Sequence, residues 1–211
     1  YLDRFETATI YESDMSDNTE KAAGYYKEYK NQSNKLSKVK YLNKALFYTK
    51  LNFSLKKQLD IIAPGFAEVT FVEKPDKMER EFFDAVKEIK INVTTGGKYG
   101  DELKKYLTGT LSRLGFSVFS NSGGSYDFVL KGTLDINNVD LERKGEFVRW
   151  ELDLTLDNEI TNTKEMKFTK SGREGHVNRS EAVNRALRTV KDIVGKEVKK
   201  SFEDEVLSIA E

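Results

Sequence analysis

The residues from Thr94 to Gly100, in the order Thr-Thr-Gly-Gly-Lys-Tyr-Gly, are the first candidates for chemistry in this chain. Alternating apolar and polar residues precede them and an amphipathic pattern follows, so the order strand, glycine-rich loop, helix is that of a phosphate-binding loop. Such a loop requires a hydroxyl residue directly after its lysine. Tyr99 follows Lys98 here, and the glycine spacing of a dinucleotide-binding fold is also missing. We therefore predict a plain turn that binds no nucleotide.

A second candidate is the segment from Ser171 to His176, which holds the only histidine of the chain. Its serine, Glu174 and His176 have the functional groups of a hydrolase, but the flanking glycines of a nucleophile elbow are absent. We predict a loop in which His176 and Arg173 bond to backbone groups at the entrance of a helix. The alternative is a ligand-binding or hydrolytic site, in which Ser171–His176 and Thr94–Gly100 converge on one pocket.

The remaining polar residues offer little for catalysis or metal binding. Glu151, Asp153 and Asp157 alternate with leucines, which is the pattern of a solvated strand face rather than of catalytic carboxylates. The segment from Asp135 to Glu142 lacks the glycine-punctuated spacing of a calcium loop. The chain has no cysteine, and one histidine cannot form a histidine cluster. We expect no catalytic residue, no cofactor and no metal.

The N-terminal third is predicted to form a helical hairpin. Residues 1–19 are acidic and polar and indicate a lead-in strand or loop. A helix from Glu20 is broken at Asn31–Asn34, and a second helix runs to a stop at Ala63-Pro64-Gly65. Ten lysines but only three acidic residues lie between Glu20 and Asp60. We interpret them as a solvated lysine-rich face, with nucleic acid, anionic lipid or an acidic protein as alternative partners.

The rest of the chain mixes strand and helix patterns. Residues 66–72 predict a short strand and residues 78–85 a helical turn. Residues 89–93 predict a strand, 101–114 an amphipathic helix closed by Gly115, and 116–119 a second strand. Strict alternation within 126–136, 150–157 and 166–168 predicts an antiparallel meander. Asn178 and Glu181 form a predicted capping box at the start of a long final helix.

This order of elements predicts an α+β fold, with a mixed, mostly antiparallel sheet, two helices on one face and an N-terminal helical hairpin. The strand–helix–strand unit requires a parallel pair. We expect residues 1–65 to form the helical hairpin segment and residues 66–211 an α+β sandwich-like domain. The hairpin resembles one unit of a two-helix repeat, and a single unit of this kind buries little core by itself. We therefore expect the hairpin to pack on the rest of the chain.

Three features of the second half occur together. The strand 89–93 leads through a glycine loop to a helix that ends at Leu114-Gly115-Phe116. The residues 126–132 precede two long strands, and Gly172–His176 precedes Ser180-Glu181-Ala182. In these features the segment from Lys90 to Glu211 resembles the bacterial envelope-lipoprotein group around the Lpp-twenty lipoproteins, the TolB amino-terminal domain and the curli-secretion lipoprotein. Residues 25–64 resemble the helical insert of larger members.

The resemblance implies a mixed-sheet fold, export to the periplasm, an outer-membrane anchor upstream of this segment, and work as a scaffold or assembly factor. It supplies no catalytic residues to carry over. We therefore expect a non-enzymatic cell-envelope domain whose partners are envelope proteins, with self-association as a second option and no nucleic acid. The expected contact surfaces are the basic hairpin and any exposed edge of the sheet, because unpaired strand edges invite partners.

Overall fold

Two long helices form the N-terminal part of the chain in the computed structural model, which describes residues 2–68, 70–120, 123–140 and 145–208. Helix α1 spans Leu2–Asn31 and helix α2 spans Lys35–Ile62. The side chain of Asn34 caps α2 by accepting a hydrogen bond from the backbone N of Ser37 at 2.9 Å. Gly65, with φ 74°, follows α2 in the left-handed region that glycine adopts without strain. The predicted hairpin and its two breaks are confirmed.

The prediction of a strand or loop over residues 1–19 is wrong, because α1 runs through residues 2–19. Ala8 and Met15 are buried in a cluster with Leu59 of α2. Ala8, Met15 and Ala22 recur every seven residues, which keeps them on one side of the helix. Acidic residues between these positions obscured the repeat. Burial against α2, more than local propensity, stabilises this part as a helix.

Helix α3, Pro75–Lys87, is longer than the helical turn predicted for residues 78–85. Its Met78 lies in a buried cluster with Leu42, Ala45 and Leu46 of α2. The strand predicted over residues 66–72 is wrong, since none of the described residues there, 66–68 and 70–72, is in a strand. Phe66 packs instead on the cluster around Leu59. A short apolar alternation does not form a strand without a neighbouring strand to pair with.

The described residues contain one sheet with the strand order β2-β1-β3-β4-β5. The strands span β1 Lys90–Gly96, β2 Ser117–Phe119, β3 Phe128–Val139, β4 Glu146–Asn158 and β5 Thr163–His176. Strand β1 is parallel to both β2 and β3, whereas β3, β4 and β5 are antiparallel neighbours. The predicted mixed, mostly antiparallel sheet is confirmed, and so is the parallel pair of the strand–helix–strand unit.

Helix α4, Gly100–Arg113, and a final helical stretch pack on one face of this sheet, as predicted. The final stretch consists of α5 Arg179–Ile193, a π-helical turn Val194–Val198, α6 Lys199–Ser201 and a second π-helical turn Phe202–Val206. The inward strand residues beneath the helices are buried, among them Leu130, Leu134, Leu152, Leu154 and Leu156. Gly132 leaves room for the helix, since a Cβ there would lie 3.1 Å from Leu103 Cδ2.

The capping box predicted for the final helix is half formed. Asn178 Oδ1 accepts a hydrogen bond from the backbone N of Ser180 at 2.8 Å, so the predicted cap is confirmed. The backbone N of Asn178 donates to His176 Nδ1 at 3.3 Å rather than to Glu181. Glu181 instead accepts a bond from Asn184 at 3.4 Å. The backbone N–H of Asn178 is therefore satisfied by His176 at the end of β5 rather than by a side chain in the first turn of α5.

Two segments that the sequence predicted as loops lie partly or wholly in strands: the first three residues of Thr94–Gly100 and all of Ser171–His176. Strand β1 continues to Gly96, and β5 continues to His176. The glycines of β5 serve aromatic packing, because a Cβ on Gly172 would lie 2.5 Å from Trp150 Cζ2 and one on Gly175 would lie 2.5 Å from Phe147 Cε1. Glycine in a strand often marks such a close approach. Gly172 and Gly175, whose residue type is typical of turns, are therefore strand residues that leave room for the rings of Trp150 and Phe147.

The chain divides into two compact units. The helical unit comprises Tyr1–Ala85 with Leu207–Glu211, and the sheet unit comprises Val86–Val206. Residues 66–85, which the sequence-based division places in the α+β domain, belong to the helical unit. Within that unit, Asn43 Nδ2 donates a hydrogen bond to Leu207 O at 3.0 Å.

Candidate functional site

The groups that suggested a hydrolase lie on β5 and face opposite sides of the sheet. Side chains alternate along a strand, so Ser171 points to the open face, the face away from α4 and α5, and Glu174 points to the helices. Ser171 lies opposite Glu151 of β4. Glu174 Oε1 accepts a hydrogen bond from Thr189 Oγ1 of α5 at 2.8 Å. Ser171, Glu174 and His176 therefore do not form a nucleophile–base arrangement.

The backbone bond predicted for His176 is confirmed, but the one predicted for Arg173 is wrong. Arg173 lies opposite Arg149 on the open face, away from the helix entrance. Arg185 of α5 donates from Nη1 to Gly175 O at 3.2 Å in its place. The error follows from treating 171–176 as a loop, since strand alternation decides which of these side chains can reach α5.

The turn Gly97–Tyr99 lies beside the N-terminus of α5. Lys98 and Tyr99 line a depression of about 360 Å³, with Asn138 of β3 and with Arg179 and Ser180 of α5. Gly97 has φ 85°, and a Cβ there would lie 2.7 Å from Leu134 O. Glycine is thus required for both its backbone conformation and its close approach to β3. This agrees with the plain turn that the sequence predicts.

Neither of the two depressions that contain residues of Thr94–Gly100, among the described parts of the chain, also contains residues of Ser171–His176. Strands β3 and β4 lie between β1 and β5, so three spacings of about 4.8 Å each separate them. The depression beside α5 and a groove on the open face both include residues of Thr94–Gly100, and neither includes one of Ser171–His176. Neither the depression beside α5 nor the groove on the open face therefore brings the two segments together, as the ligand-binding or hydrolytic alternative requires.

The groove on the open face has a volume of about 370 Å³ and is lined by threonine, lysine, glycine and leucine residues. Short hydroxyl side chains and two lysines line it, from Thr94, Lys131, Thr133, Thr155, Lys167 and Thr169. Lys131 Nζ donates a hydrogen bond to Asp157 Oδ2 at 2.9 Å. This bond, followed by the negative charge of Asp157, raises the pKa of Lys131. Thr169 Oγ1 donates to Asp153 Oδ1 at 2.8 Å. The carboxylates bond to neighbours on a solvated face, as the sequence predicts.

Asn92 departs from the alternation predicted for β1. The sequence places Asn92 on the solvated side, yet only 8% of the residue is exposed, and its Oδ1 accepts no hydrogen bond from the described residues. Alternation with Ile91 and Val93 indicates the strand correctly. It does not show how deeply the polar face is covered, because that depends on residues distant in sequence.

Strand β5 is the long edge of the sheet. It pairs with β4 along its length, and no described strand pairs with its other side. Its four cationic residues outnumber its two acidic ones: Lys164, Lys167, Lys170 and Arg173 against Glu165 and Glu174. Lysine on an edge strand discourages pairing with an identical strand. The exposed edge expected from the sequence is therefore present and basic.

The basic part of the hairpin is joined to α3 by polar contacts. Tyr26 donates its hydroxyl to Glu81 Oε2 at 2.9 Å, and burial, followed by this bond, raises the pKa of Tyr26 to about 12. Lys30 Nζ lies 3.4 Å from Glu81 Oε1, and Lys50 Nζ lies 2.7 Å from Glu79 Oε1. Exposed ion pairs of this kind contribute little stability each. The side of the hairpin that faces α3 is thus partly neutralised.

The described residues form neither a metal-binding cluster nor a membrane-spanning helix. No group of three or more histidine, cysteine, aspartate or glutamate side chains in the described parts of the chain has a geometry that could hold a metal ion. None of the described helices combines the length and the apolar character that crossing a membrane requires. Leu141 and Glu142, at the end of the segment compared with a calcium loop, lie outside the described residues, as do Asn121 and Ser122.

Comparison with known proteins gave matches among solved structures alone. No protein-family model matches the chain, and no curated protein matches it. The chain is similar to a minor lipoprotein from Acinetobacter baumannii, with 16% identity and a TM-score of 0.39 over 57% of this chain and 97% of that one.

Two further structures of bacterial lipoproteins are similar over about half of the chain. A lipoprotein from Neisseria meningitidis has 13% identity and a TM-score of 0.35, with 49% of this chain and 99% of that one covered. The rare lipoprotein B from Shewanella oneidensis has 9% identity and a TM-score of 0.34, with 55% and 91% covered.

Proposed function

We propose that this chain is a non-enzymatic domain of a bacterial cell-envelope protein and works as a scaffold or assembly factor through protein contacts. The observation that carries the proposal is β5, an edge strand of 14 residues, Thr163–His176, whose outer side pairs with no described strand. An extended segment of a partner can add to such an edge through main-chain hydrogen bonds, and side chains then provide specificity.

The charge of β5 favours an acidic partner over a second copy of this chain. In an antiparallel pair of two β5 strands, the cationic residues of one strand would lie near those of the other, which is destabilising. A partner segment rich in aspartate or glutamate would instead face Lys164, Lys167 and Arg173. Self-association, the second option from the sequence, remains an outcome of the experiment below.

The proposed location is the periplasm, at the outer membrane, through an anchor upstream of this segment. The resemblance of residues 90–211 to envelope lipoproteins motivates this location. The scaffold role fits a protein whose polar groups bond to each other across a sheet face. The ligand-binding or hydrolytic alternative is the weaker candidate, because the two depressions that the described residues form at Thr94–Gly100 include none of Ser171–His176.

The test is to tag the full-length protein in the bacterium that encodes it, fractionate the envelope and identify the proteins that co-purify. The decisive variant is Lys167→Glu with Arg173→Glu, which reverses two exposed charges on the open-face side of β5. Its control is Lys105→Glu with Lys200→Glu, which makes the same change in net charge at exposed helical positions.

We expect the wild-type protein in the outer-membrane fraction with a distinct partner, which the β5 variant loses and the control retains. Recovery as a free cytosolic monomer would overturn the envelope role. Retention of the partner by the β5 variant would overturn the edge as the contact surface. Recovery of this chain itself as the main partner would replace the acidic segment with self-association.

A further inference from the structure

One face of α2 combines lysines with exposed apolar side chains. Lys40, Lys44, Phe47 and Leu51 recur at intervals of four, three and four residues, which places them on a single stripe of the helix. Phe47 is 57% exposed and Leu51 is 38% exposed. We call these four residues the hairpin patch. Large apolar side chains that project from a lysine-rich stripe are typical of a surface that binds another protein or a membrane.

A row of aromatic rings lies beside the hairpin patch and supports it. Tyr25 of α1 stacks on Tyr48 of α2 with ring centroids 5.9 Å apart and an interplanar angle of 2°. The ring of Tyr41 lies 6.4 Å from that of Tyr25. The ring of Phe47 meets that of Tyr48 edge-on at 5.2 Å. Phe47 is therefore held by its neighbours while more than half of it stays exposed.

Charge is segregated along the hairpin, and Lys40, Lys44 and Phe47 of the hairpin patch belong to its basic end. Residues 20–50 contain eight lysines and two glutamates. The other end, residues 2–19 and 51–62, contains six acidic residues and three basic ones. A basic surface is attracted to an anionic partner, and the attraction weakens as salt is added.

We infer that the hairpin patch docks on an anionic lipid surface, with Phe47 and Leu51 entering the interface and the lysines contacting headgroup phosphates. Interfacial helices also combine lysine with phenylalanine and leucine, with the apolar side chains buried at the boundary between headgroups and acyl chains. Nucleic acid fits less well, because residues 20–60 contain no arginine and phosphate backbones offer nothing to the exposed Phe47. The inference concerns the helical unit and is independent of the edge contact proposed for β5.

The test is flotation of the purified full chain with vesicles made of three parts phosphatidylcholine and one part phosphatidylglycerol, and with pure phosphatidylcholine vesicles. We expect binding to the anionic vesicles to be about tenfold stronger or more, and to fall in about 1 M NaCl. Lys40→Glu with Lys44→Glu should weaken that binding about tenfold or more. Phe47→Ser with Leu51→Ser should also weaken it, although net charge is unchanged.

The control is again Lys105→Glu with Lys200→Glu, which should bind anionic vesicles within about twofold of the wild type. Thermal unfolding followed by circular dichroism shows that each variant is folded, and these side chains are partly or largely exposed. The inference fails if anionic vesicles are not preferred, if the control weakens binding equally, or if the Phe47 and Leu51 variant binds normally. Equal binding of a single-stranded RNA with the same lysine dependence would make the patch a nucleic-acid surface and overturn it.

Discussion

The sheet unit and the helical unit bury their side chains in different ways. In the sheet unit, alternate residues of long strands face two helices, and Leu130, Leu134 and Leu152 are fully buried. In the helical unit, tyrosine rings on α1 and α2 contact each other while remaining half-buried. A sheet face under helices has one register that buries all its apolar residues. A two-helix hairpin leaves the flanks of its core accessible.

This difference suggests a division of roles between the two units. The sheet unit has a core in which Phe202 and Trp150 are buried together with leucines, and its proposed contact surface is the β5 edge. The helical unit presents lysines and partly exposed rings on its surface. We therefore expect core substitutions to have their largest effect on stability in the sheet unit. Surface substitutions should affect partner binding at β5 and lipid binding at the hairpin patch.

The largest effect is expected from Phe202→Ala in the sheet unit. Phe202 is fully buried, and its ring lies 5.9 Å from that of Phe116, so the substitution should cost about 3–5 kcal/mol of unfolding free energy. Tyr48→Ala in the helical unit should cost about 1–2 kcal/mol, because its ring is half-buried. Urea unfolding of both variants measures the difference. Equal losses would break the comparison between the units.

Gly172→Ala should cost about 1–3 kcal/mol, because the new Cβ would overlap the buried ring of Trp150. Gly175→Ala is the matched control on the same strand. Its Cβ meets Phe147, which is partly exposed and can move aside, so the loss should be smaller. Thermal unfolding ranks the two variants, and the reverse order would contradict the packing described for β5.

Tyr26→Phe should cost about 1 kcal/mol at pH 8, where the hydroxyl donates to Glu81. The pKa of Tyr26 is raised to about 12 in the folded protein, from 10.0. The stabilisation is therefore fully present below pH 10 and is lost as the pH rises towards 12. Urea unfolding of both proteins at pH 8 and pH 11 should show a smaller difference at pH 11. A difference that grows with pH would contradict the bond.

The smallest effect is expected from Gly24→Ala in α1. A Cβ at Gly24 meets no atom within 4 Å, and alanine is the better helix former by about 0.5–1 kcal/mol. The variant should therefore be slightly more stable in thermal unfolding. With Gly172→Ala it tests one glycine in each unit, and a loss at Gly24 would mean that something packs on that side of α1.

Much of the fold could be predicted from local patterns. Alternation indicated β1, β3 and β4, and the polar run Asn31–Asn34 indicated the break between α1 and α2. Asn178 indicated a helix start, and Gly115 indicated the end of α4. The misread segments were those in which distant residues decide the structure. Ala8 and Met15 form a helix face because Leu59 covers them, and 66–72 lacks a strand partner among the described residues. The strand predicted for β5 ended at residue 168, because a local pattern does not show the rings that pack on Gly172 and Gly175.

The candidate site shows the same limit. The sequence by itself determined which functional groups the chain contains: one histidine, no cysteine, and lysine-rich segments flanked by aromatic residues. Only the tertiary structure decided that Ser171 and Glu174 face opposite sides of the sheet, that β5 is an edge, and that Phe47 projects beside Lys40 and Lys44. The physical reason is that residue types and spacing are properties of the chain. Strand order, facing and exposure arise from contacts between residues far apart in sequence.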